Sequence, residues 1–307
     1  MPKNKIPVIL DVDTGTDDAI AIAVSLFLKN INVLLITTGT GNAGVDSVTK
    51  NTLNILQFIN KNEKVKVAKG KGVPISKHPF VLQVHGKTGL GDFDFEPLES
   101  RAIKMPAVEA IHKTLQESCE KVTLISLGPP TNFAQLLKEY PEDKEKIANI
   151  VISGGLIEEL KEGEKPYTSY NIAHDPDATN IILKSGESID IVPSNMGHDA
   201  YLDWSDIYKT KITNQTGAML EELYRSYHDR HVKNGVATHD MCAVLYVSNP
   251  EIFEIKQAEI FVENNKEVKT GILKFNFESE KPNSMVATKI DVKKSKKIYF
   301  SALKKMP

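Results

Sequence analysis

The sequence predicts an α/β protein with a single open, mostly parallel, doubly wound (Rossmann-like) sheet and helices on both of its faces. In three places an apolar run of strand length leads through a polar turn into a segment with apolar residues at helical spacing. The strands are predicted at 6–10, 33–38 and 122–127, and the helices that follow them at 19–28, 45–59 and 133–137. Strands that alternate with helices favour parallel pairing, because each crossover returns the chain to the same edge of the sheet.

The rest of the chain extends this pattern. Further strands are predicted at 65–68, 147–153 and 189–193, and further helices at 107–118, 175–184, 204–208 and 217–233. Between them, residues 70–106 are rich in Gly, Pro and charge without a clear period, which is typical of a functional loop or lid. Residues 203–238 are predicted to form a helical cap region. Beyond the helix that begins at 239, residues 254–300 alternate as strands do, and the basic run 293–305 is expected to be a solvated end.

Length and composition limit the function classes. At 307 residues we expect one domain, 1–307, and the formal net charge of -2 gives no reason to expect nucleic acid or an acidic membrane as partner. No apolar run reaches the length of a membrane span, and the first residues lack the apolar core of a signal peptide, so we expect a cytoplasmic protein that binds a small molecule. Cys119 and Cys242 lie outside any metal-binding spacing, and both are expected to be buried.

A cluster of acids follows the first predicted strand, at Asp11, Asp13, Asp17 and Asp18. Ligands in open α/β sheets bind at the carboxyl ends of strands, so this cluster marks a candidate site. Anions this close repel one another in a partly buried crevice unless protons or a bound cation compensate them, and we favour a cation. Helix capping explains Asp17 or Asp18, but it does not explain Asp11 and Asp13, which share one face of the strand.

Other polar residues have two interpretations each. Asn42, in a Gly-rich turn after the second strand, either offers its amide to a ligand or only stabilises the turn. His85, in the long loop, is a solvated side chain or a ligand contact. Asp175 and Asp177 are expected to begin and cap a helix. The pair His239 and Asp240 opens an apolar helix and is unremarkable when taken alone.

The order Asp-Val-Asp-Thr-Gly-Thr-Asp-Asp at 11–18 resembles the signature of the inosine-uridine type nucleoside hydrolases. That family cleaves the N-glycosidic bond of ribonucleosides with a bound calcium ion. Further similar segments follow in the same order, and the resemblance spans Asp11 to Pro250. These segments are His-Gly-Lys-Thr-Gly-Leu at 85–90, Gly-Pro-Pro-Thr-Asn at 128–132, Tyr-Asn at 170–171 ahead of Asp-Pro-Asp-Ala at 175–178, and His-Asp at 239–240.

The resemblance implies a calcium site and assigns roles to its residues. Ca²⁺ would be held by the carboxylates of Asp13, Asp18 and Asp240, by the carbonyl of Leu127 and by waters, and such hard oxygen ligands suit this ion. Asp13 would also act as general base toward a water molecule on the metal. His239 is the candidate acid that protonates the leaving base.

The resemblance also implies the contacts to the nucleoside and the assembly. Asp17 and Asn171 would hold ribose hydroxyls, and the ribose or base would contact His85, Tyr227 and His228, whereas Asn42 is a candidate contact from its position in the turn alone. Tyr227 and His228 belong equally well to an amphipathic surface helix. Ser169 stands where the family has a Glu that binds the 5′-hydroxyl, which weakens that contact by roughly 1–2 kcal/mol or favours a 5′-modified substrate. A homo-oligomer, a dimer or tetramer, is expected as in the family.

Two other functions compete with this prediction. Asp-Val-Asp-Thr at 11–14 also resembles the nucleophile motif of haloacid-dehalogenase-type phosphatases, which would make the chain a magnesium-dependent phosphoryl transferase. That reading leaves Asp17, Asp18 and the pair at 239–240 unexplained. A calcium-dependent nucleoside-binding or degenerate, non-catalytic protein is the second alternative, because Ser169 departs from the family pattern. The presence of Asp13, the expected base, argues against it.

Overall fold

The computed structural model describes residues 5–76, 89–91, 93–158, 169–225, 227, 232–263 and 271–307. The strands are β1 Ile6–Val12, β2 Ile31–Thr38, β3 Lys66–Lys69, β4 Val122–Ser126, β5 Ile147–Ser153, β6 Ile189–Val192, β7 Leu202–Asp203, β8 Gly235–Val236, β9 Phe253–Glu263, β10 Ile272–Asn276 and β11 Ser284–Ile290. The helices are α1 Thr16–Phe27, α2 Val45–Phe58, α3 Ala107–Glu117, α4 Thr131–Glu139, α5 Tyr170–His174, α6 Pro176–Leu183, α7 Ser194–Asp199, α8 Trp204–Lys211, α9 Gln215–Arg225, α10 His239–Ser248 and α11 Val292–Leu303. Among the helices in these ranges, none is long and apolar enough to cross a membrane.

Nine strands form one sheet in the order β10-β9-β11-β6-β5-β4-β1-β2-β3. Neighbours from β6 to β3 pair in parallel, as do β6 and β11, whereas β9 runs antiparallel to β10 and β11. The predicted doubly wound, mostly parallel sheet is therefore confirmed. Since β1 lies between β2 and β4, the strand order reverses at β1, and a crevice opens at the carboxyl end of such a switch point.

Both faces of the sheet are covered, which explains the continuous apolar runs of its central strands. In β1, Val8, Leu10 and Val12 pack into one hydrophobic core together with α1 and α10. Ile9 points to the opposite face and packs with α3 and α4 in a second core. Because side chains alternate along a strand, Asp11 belongs to the same face as Ile9, and the end of the strand turns polar.

The C-terminal prediction is wrong for residues 292–303, which form α11 and not a strand or a solvated end. Tyr299 and Leu303 are buried in the first core, one helical turn apart. The hydroxyls of Tyr299 and Thr210 lie 3.0 Å apart and are hydrogen-bonded. Four of the first six residues of the helix are lysines. The charge pattern alone therefore does not reveal its apolar face.

The two cysteines differ in environment, and neither forms a disulfide. Cys242 is buried in α10, as predicted, and burial raises the pKa of its thiol to about 12. Cys119 is exposed, so the prediction that it is buried is wrong. It follows α3 in the turn before β4, and the apolar spacing of α3 has already ended there.

Asp175 joins three distant parts of the chain near the carboxyl ends of the strands. Its buried carboxylate caps α6 by accepting from the Ala178 amide at 3.2 Å, which confirms the predicted capping role. It also accepts from the Ile75 amide, from the amide and hydroxyl of Ser76, and from the Thr131 hydroxyl. The predicted helix 175–184 is thus preceded by a separate short helix, α5, because Pro176 begins a new helix after Asp175.

We expect Asp175→Ala to lower the free energy of unfolding by about 3 kcal/mol, because several buried donors lose a charged acceptor together. Urea unfolding followed by circular dichroism measures this change. Asp177→Ala is the matched control, since Asp177 lies in the first turn of the same helix and is exposed. Equal effects of the two substitutions would show that the buried hydrogen bonds of Asp175 contribute little.

Candidate active site

The end of β1, the turn that follows it, and the first turns of α1 and α10 bring five carboxylates to the switch point of the sheet. All five are buried, with Asp18 and Asp11 at 0% and 1% exposure; the others are Asp13, Asp17 and Asp240. Carboxylate oxygens of Asp17, Asp18 and Asp240 lie within 4.8 Å of one another and could share a metal ion. The predicted ligands Asp18 and Asp240 thus meet, although Asp17 rather than Asp13 completes this group.

Asp13 is enclosed by the turns that follow the two strands flanking β1. The Asn42 amide donates to Asp13 Oδ2 at 2.8 Å, so the main chain of Asn42 contacts the site in addition to its side chain. A Cβ atom at Gly41 would lie 1.9 Å from Asp13 Oδ2, and one at Gly128 would lie 2.6 Å from Oδ1. The close approach therefore requires glycine on both sides of this carboxylate.

Burial and mutual repulsion disfavour the ionised form of the carboxyl groups in this cluster. Burial, followed by the charge of Asp17, raises the pKa of Asp18 to about 8. Burial is also the main cause that raises the pKa values of Asp13 and Asp240 well above the ordinary range, and neighbouring acids add to it. Without a compensating cation, these acids cannot all be ionised near neutral pH.

The two carboxylate oxygens of Asp18 have different surroundings. Its Oδ2 accepts from the Gly15 amide at 2.9 Å and from Asn42 Nδ2 at 3.3 Å. Its Oδ1 is buried without a hydrogen-bond partner among the described residues. A buried carboxylate oxygen without a donor, surrounded by other carboxylates, fits a hard cation such as Ca²⁺ or Mg²⁺.

Leu127 directly follows β4, and its main chain adjoins β1. Its amide donates to the carbonyl of Asp11 at 2.8 Å. Its carbonyl accepts from Asn171 Nδ2, which also donates to the carbonyl of Ser153 at 3.1 Å. Asn171 thus connects the ends of β4 and β5, and the second lone pair of the Leu127 carbonyl remains for another partner.

Two polar residues that sequence reasoning missed hold the acids in place. Ser153, the last residue of β5, donates its hydroxyl to Asp240 Oδ1 at 3.0 Å. Asn132, known from the sequence only as the last residue of the segment 128–132, donates Nδ2 to Asp11 Oδ1 at 2.7 Å. This hydrogen bond lowers the pKa of Asp11, but burial has the larger effect and raises that pKa to about 7. The position of Ser153 at a strand end was the available signal for its role.

His239 begins α10 next to Asp240, and α7 packs against its ring. A Cβ atom at Gly197 would lie 2.3 Å from His239 Nδ1, so only glycine permits this approach. The ring of His198 meets the His239 ring edge to face, with centroids 4.9 Å apart. His198 is therefore a further site-adjacent residue that sequence reasoning did not assign.

Ser169 immediately precedes α5, and Tyr170 is the first residue of that helix. Ser169 is buried, and a Cβ atom at Gly154, just beyond β5, would lie 3.0 Å from its hydroxyl oxygen. The Tyr170 hydroxyl donates to the carbonyl of Gly41 at 2.6 Å. Tyr170 thus supports the turn that encloses Asp13, a role that the sequence did not indicate.

The remaining predicted contacts have different outcomes. His85 and His228 lie outside the described residues. Tyr227 is 8% exposed and packs in the same hydrophobic core as α9 and α10, so its contact with a base stays a prediction. Within 70–106, the described residues form no helix or strand and only a single bridge, between Ile103 and Ala68.

Fold and site together define a class of protein. A doubly wound α/β sheet carries buried carboxylates at its switch point, in an arrangement that fits a hard cation and a small ligand. A family model, described as inosine-uridine preferring nucleoside hydrolase, matches residues 8–297. The chain belongs to the inosine-uridine preferring nucleoside hydrolase family and is an enzyme of the nucleoside hydrolase class. The alternative of a haloacid-dehalogenase-type phosphatase is therefore wrong.

Relatives and solved structures agree with this membership. The chain is 34% identical over 294 residues to the non-specific ribonucleoside hydrolase RihC of Escherichia coli O7:K1, with 94% of this chain and 95% of the relative covered. It is 25% identical to a purine-preferring ribonucleoside hydrolase from Gardnerella vaginalis, with a TM-score of 0.87 and coverage of 97% and 98% of the two chains. A plant nucleoside hydrolase, PpNRh1, is 25% identical with a TM-score of 0.86, and 97% of this chain and 99% of the plant enzyme are covered.

Proposed function

We propose that this protein hydrolyses the N-glycosidic bond of ribonucleosides and releases ribose and a free purine or pyrimidine base, a reaction of nucleoside salvage. The family and the ribonucleoside hydrolases among its relatives support this reaction. The observation that carries the proposal is the position of Asp13, enclosed by Gly41 and Gly128 next to the other buried acids.

The metal in this proposal is Ca²⁺, held by Asp13, Asp18, Asp240 and the Leu127 carbonyl. Asp17 is a further candidate ligand, because its carboxylate lies with those of Asp18 and Asp240. The buried Oδ1 of Asp18 and the purely oxygen donor set favour a hard cation. When bound, such an ion lowers the pKa of a coordinated water and fixes hydroxyl groups of the sugar.

Asp13 acts as general base in this proposal by accepting a proton from the attacking water. The Asn42 amide fixes one oxygen of the carboxylate, and the main chain at Gly41 and Gly128 packs closely on either side of it. A base fixed in this way needs little reorganisation when the proton moves, which is how positioned groups accelerate a reaction.

The sugar becomes positively charged as the glycosidic bond breaks. The buried carboxylates would stabilise this charge, because they are already oriented and poorly solvated. Asp17 and Asn171 would hold the ribose hydroxyls, with Asn42, Ser169, His85, Tyr227 and His228 as further contacts. His239 would protonate the leaving base, with its ring placed by Gly197 and His198.

The test is release of reducing sugar from inosine, adenosine, guanosine, uridine and cytidine by calcium-loaded protein. Ribose from one or more of them would support hydrolysis and identify the preferred base. Folded, calcium-loaded protein that binds a nucleoside but releases no ribose would instead support the non-catalytic alternative. Testing 5′-deoxynucleosides in parallel shows whether Ser169 shifts the preference toward 5′-modified substrates.

We also propose that the protein works in the cytoplasm as a homo-oligomer, a dimer or tetramer. Two cysteines without a disulfide are consistent with a reducing compartment. The oligomeric state is proposed from the resemblance to the family. Light scattering coupled to gel filtration would distinguish a monomer of 34.0 kDa from a dimer or tetramer.

We expect Gly41→Ala to lower kcat/KM for the best nucleoside about 100-fold, because the new methyl group displaces Asp13 by an ångström or more. Steady-state kinetics measures the change. Gly44→Ala is the matched control in the same turn, since a Cβ atom there meets no heavy atom within 4 Å. A similar loss in both variants would indicate a general disturbance of the turn rather than displacement of Asp13.

A further inference from the structure

A cavity of about 660 Å³ lies at one edge of the sheet, between α2, the end of β3 and the segment 98–106. Strand β3 is the edge strand, and the Ile103 amide donates to the Val67 carbonyl at 2.8 Å, so the segment follows this edge. The residues that α2 contributes have the spacing of a single helix face: Asp46, Thr49, Lys50 and Leu53. None of the buried acids of the active site lines this cavity, so it is a separate site.

The cavity concentrates positive charge in a protein whose formal net charge is -2. Five cationic residues line it: Lys50, Lys69, Lys71, Arg101 and Lys104. Among the described residues that line it, Asp46 is the only acidic one. A concave surface with charge of one sign attracts counter-ions of the opposite sign. The charge distribution therefore favours an anionic ligand.

The cationic side chains are available to such a ligand. Lys50, Arg101 and Lys104 form no ion pair with any residue in the described part of the chain. Lys69 pairs with Asp46 at 2.9 Å and Lys71 pairs with Glu139 at 3.0 Å, but the Asp46 and Glu139 side chains are 86% and 45% exposed. Exposed ion pairs contribute little to stability, so Lys69 can exchange this partner for an anion at small cost.

The rest of the lining restricts the kind of anion. The walls include the apolar side chains of Leu53, Leu98, Ile103 and Met105. The volume falls in the range of small-molecule sites and is far larger than a bare phosphate requires. The ligand class that matches both features is an organic phosphate with a sizeable body that packs against apolar side chains. Arg101 adds a planar donor group suited to phosphate.

We propose that this cavity binds a mononucleotide, with its phosphate on the cationic side chains and its base against the apolar ones. Binding would be separate from hydrolysis of nucleosides, because the cavity shares no lining residue with the carboxylate cluster. The proposal therefore stands on this cavity and does not depend on the proposed catalytic reaction.

The test is calorimetric titration of AMP into the full-length protein at low salt. We expect saturable binding that weakens at least tenfold in the double variant Lys50→Glu, Arg101→Glu and also weakens when salt is raised to 0.5 M. Lys121→Glu is the matched control, because Lys121 is exposed just before β4, at the amino ends of the strands. We expect it to change the affinity less than twofold.

Three results would overturn the proposal. They are no saturable AMP binding, equal affinity in the wild type and the double variant, or inorganic phosphate binding as tightly as AMP. The last result would identify an unspecific anion site without a role for the apolar walls. Ribose release by the double variant is measured separately, so failure of the nucleotide site and failure of the hydrolase function are distinguishable.

Discussion

Asp13→Asn is expected to lower kcat for ribonucleoside hydrolysis about 1,000-fold, which is the range that a positioned general base contributes. The amide has the same size, so the walls formed by Gly41 and Gly128 can still accommodate the side chain. It cannot accept the proton of the attacking water. Reducing-sugar release under saturating substrate measures kcat, and circular dichroism verifies the fold.

A buried acid outside the site provides the control for this loss. Asp190 lies on β6 at 7% exposure, and Asn149 Nδ2 donates to its carboxylate at 2.6 Å. Burial raises the pKa of Asp190, as it does for the acids of the site. We expect Asp190→Asn to change kcat less than threefold. If Asp13→Asn retained a tenth of wild-type kcat, another residue would have to serve as base.

The sequence was sufficient to predict most of the sheet, for a local reason. Each central strand is apolar on both faces, and each strand end turns polar within one or two residues. The strand at 147–153 is reproduced without a change of boundary, and the first turn of α10 places Asp240 in the site. Periodicity is encoded locally, so a single sequence is enough to detect it.

The supporting contacts of the site could not be predicted because they join distant segments. Asn132 and Asp11 are 121 positions apart, and the Tyr170 hydroxyl reaches a carbonyl 129 positions earlier in the chain. Gly41 and Gly128 resemble ordinary turn glycines until the structure places Asp13 between them. Such close approaches depend on strand order and register, which no local pattern specifies.

Removal of the proposed Ca²⁺ is expected to destabilise the protein, and increasingly so as the pH rises. In the metal-free protein, the pKa values of Asp11 and Asp18 are about 7 and about 8, above the ordinary value of 3.8. The folded state therefore holds more protons than the unfolded state between about pH 4 and 8. Its free energy of unfolding decreases as the pH rises through this interval.

Bound Ca²⁺ should reverse this trend, because it replaces the protons and requires ionised carboxylates. At one hundred times its dissociation constant, an ion stabilises the folded state by about 2.7 kcal/mol, or roughly 5 °C in Tm for a chain of this size. Thermal unfolding with Ca²⁺ and with a chelator at pH 5.5 and 8.0 measures the difference. We expect a clearly larger difference at pH 8.0, reduced in Asp18→Asn and retained in Asp190→Asn. Equal Tm values with and without Ca²⁺ at pH 8.0 would contradict calcium binding by these acids.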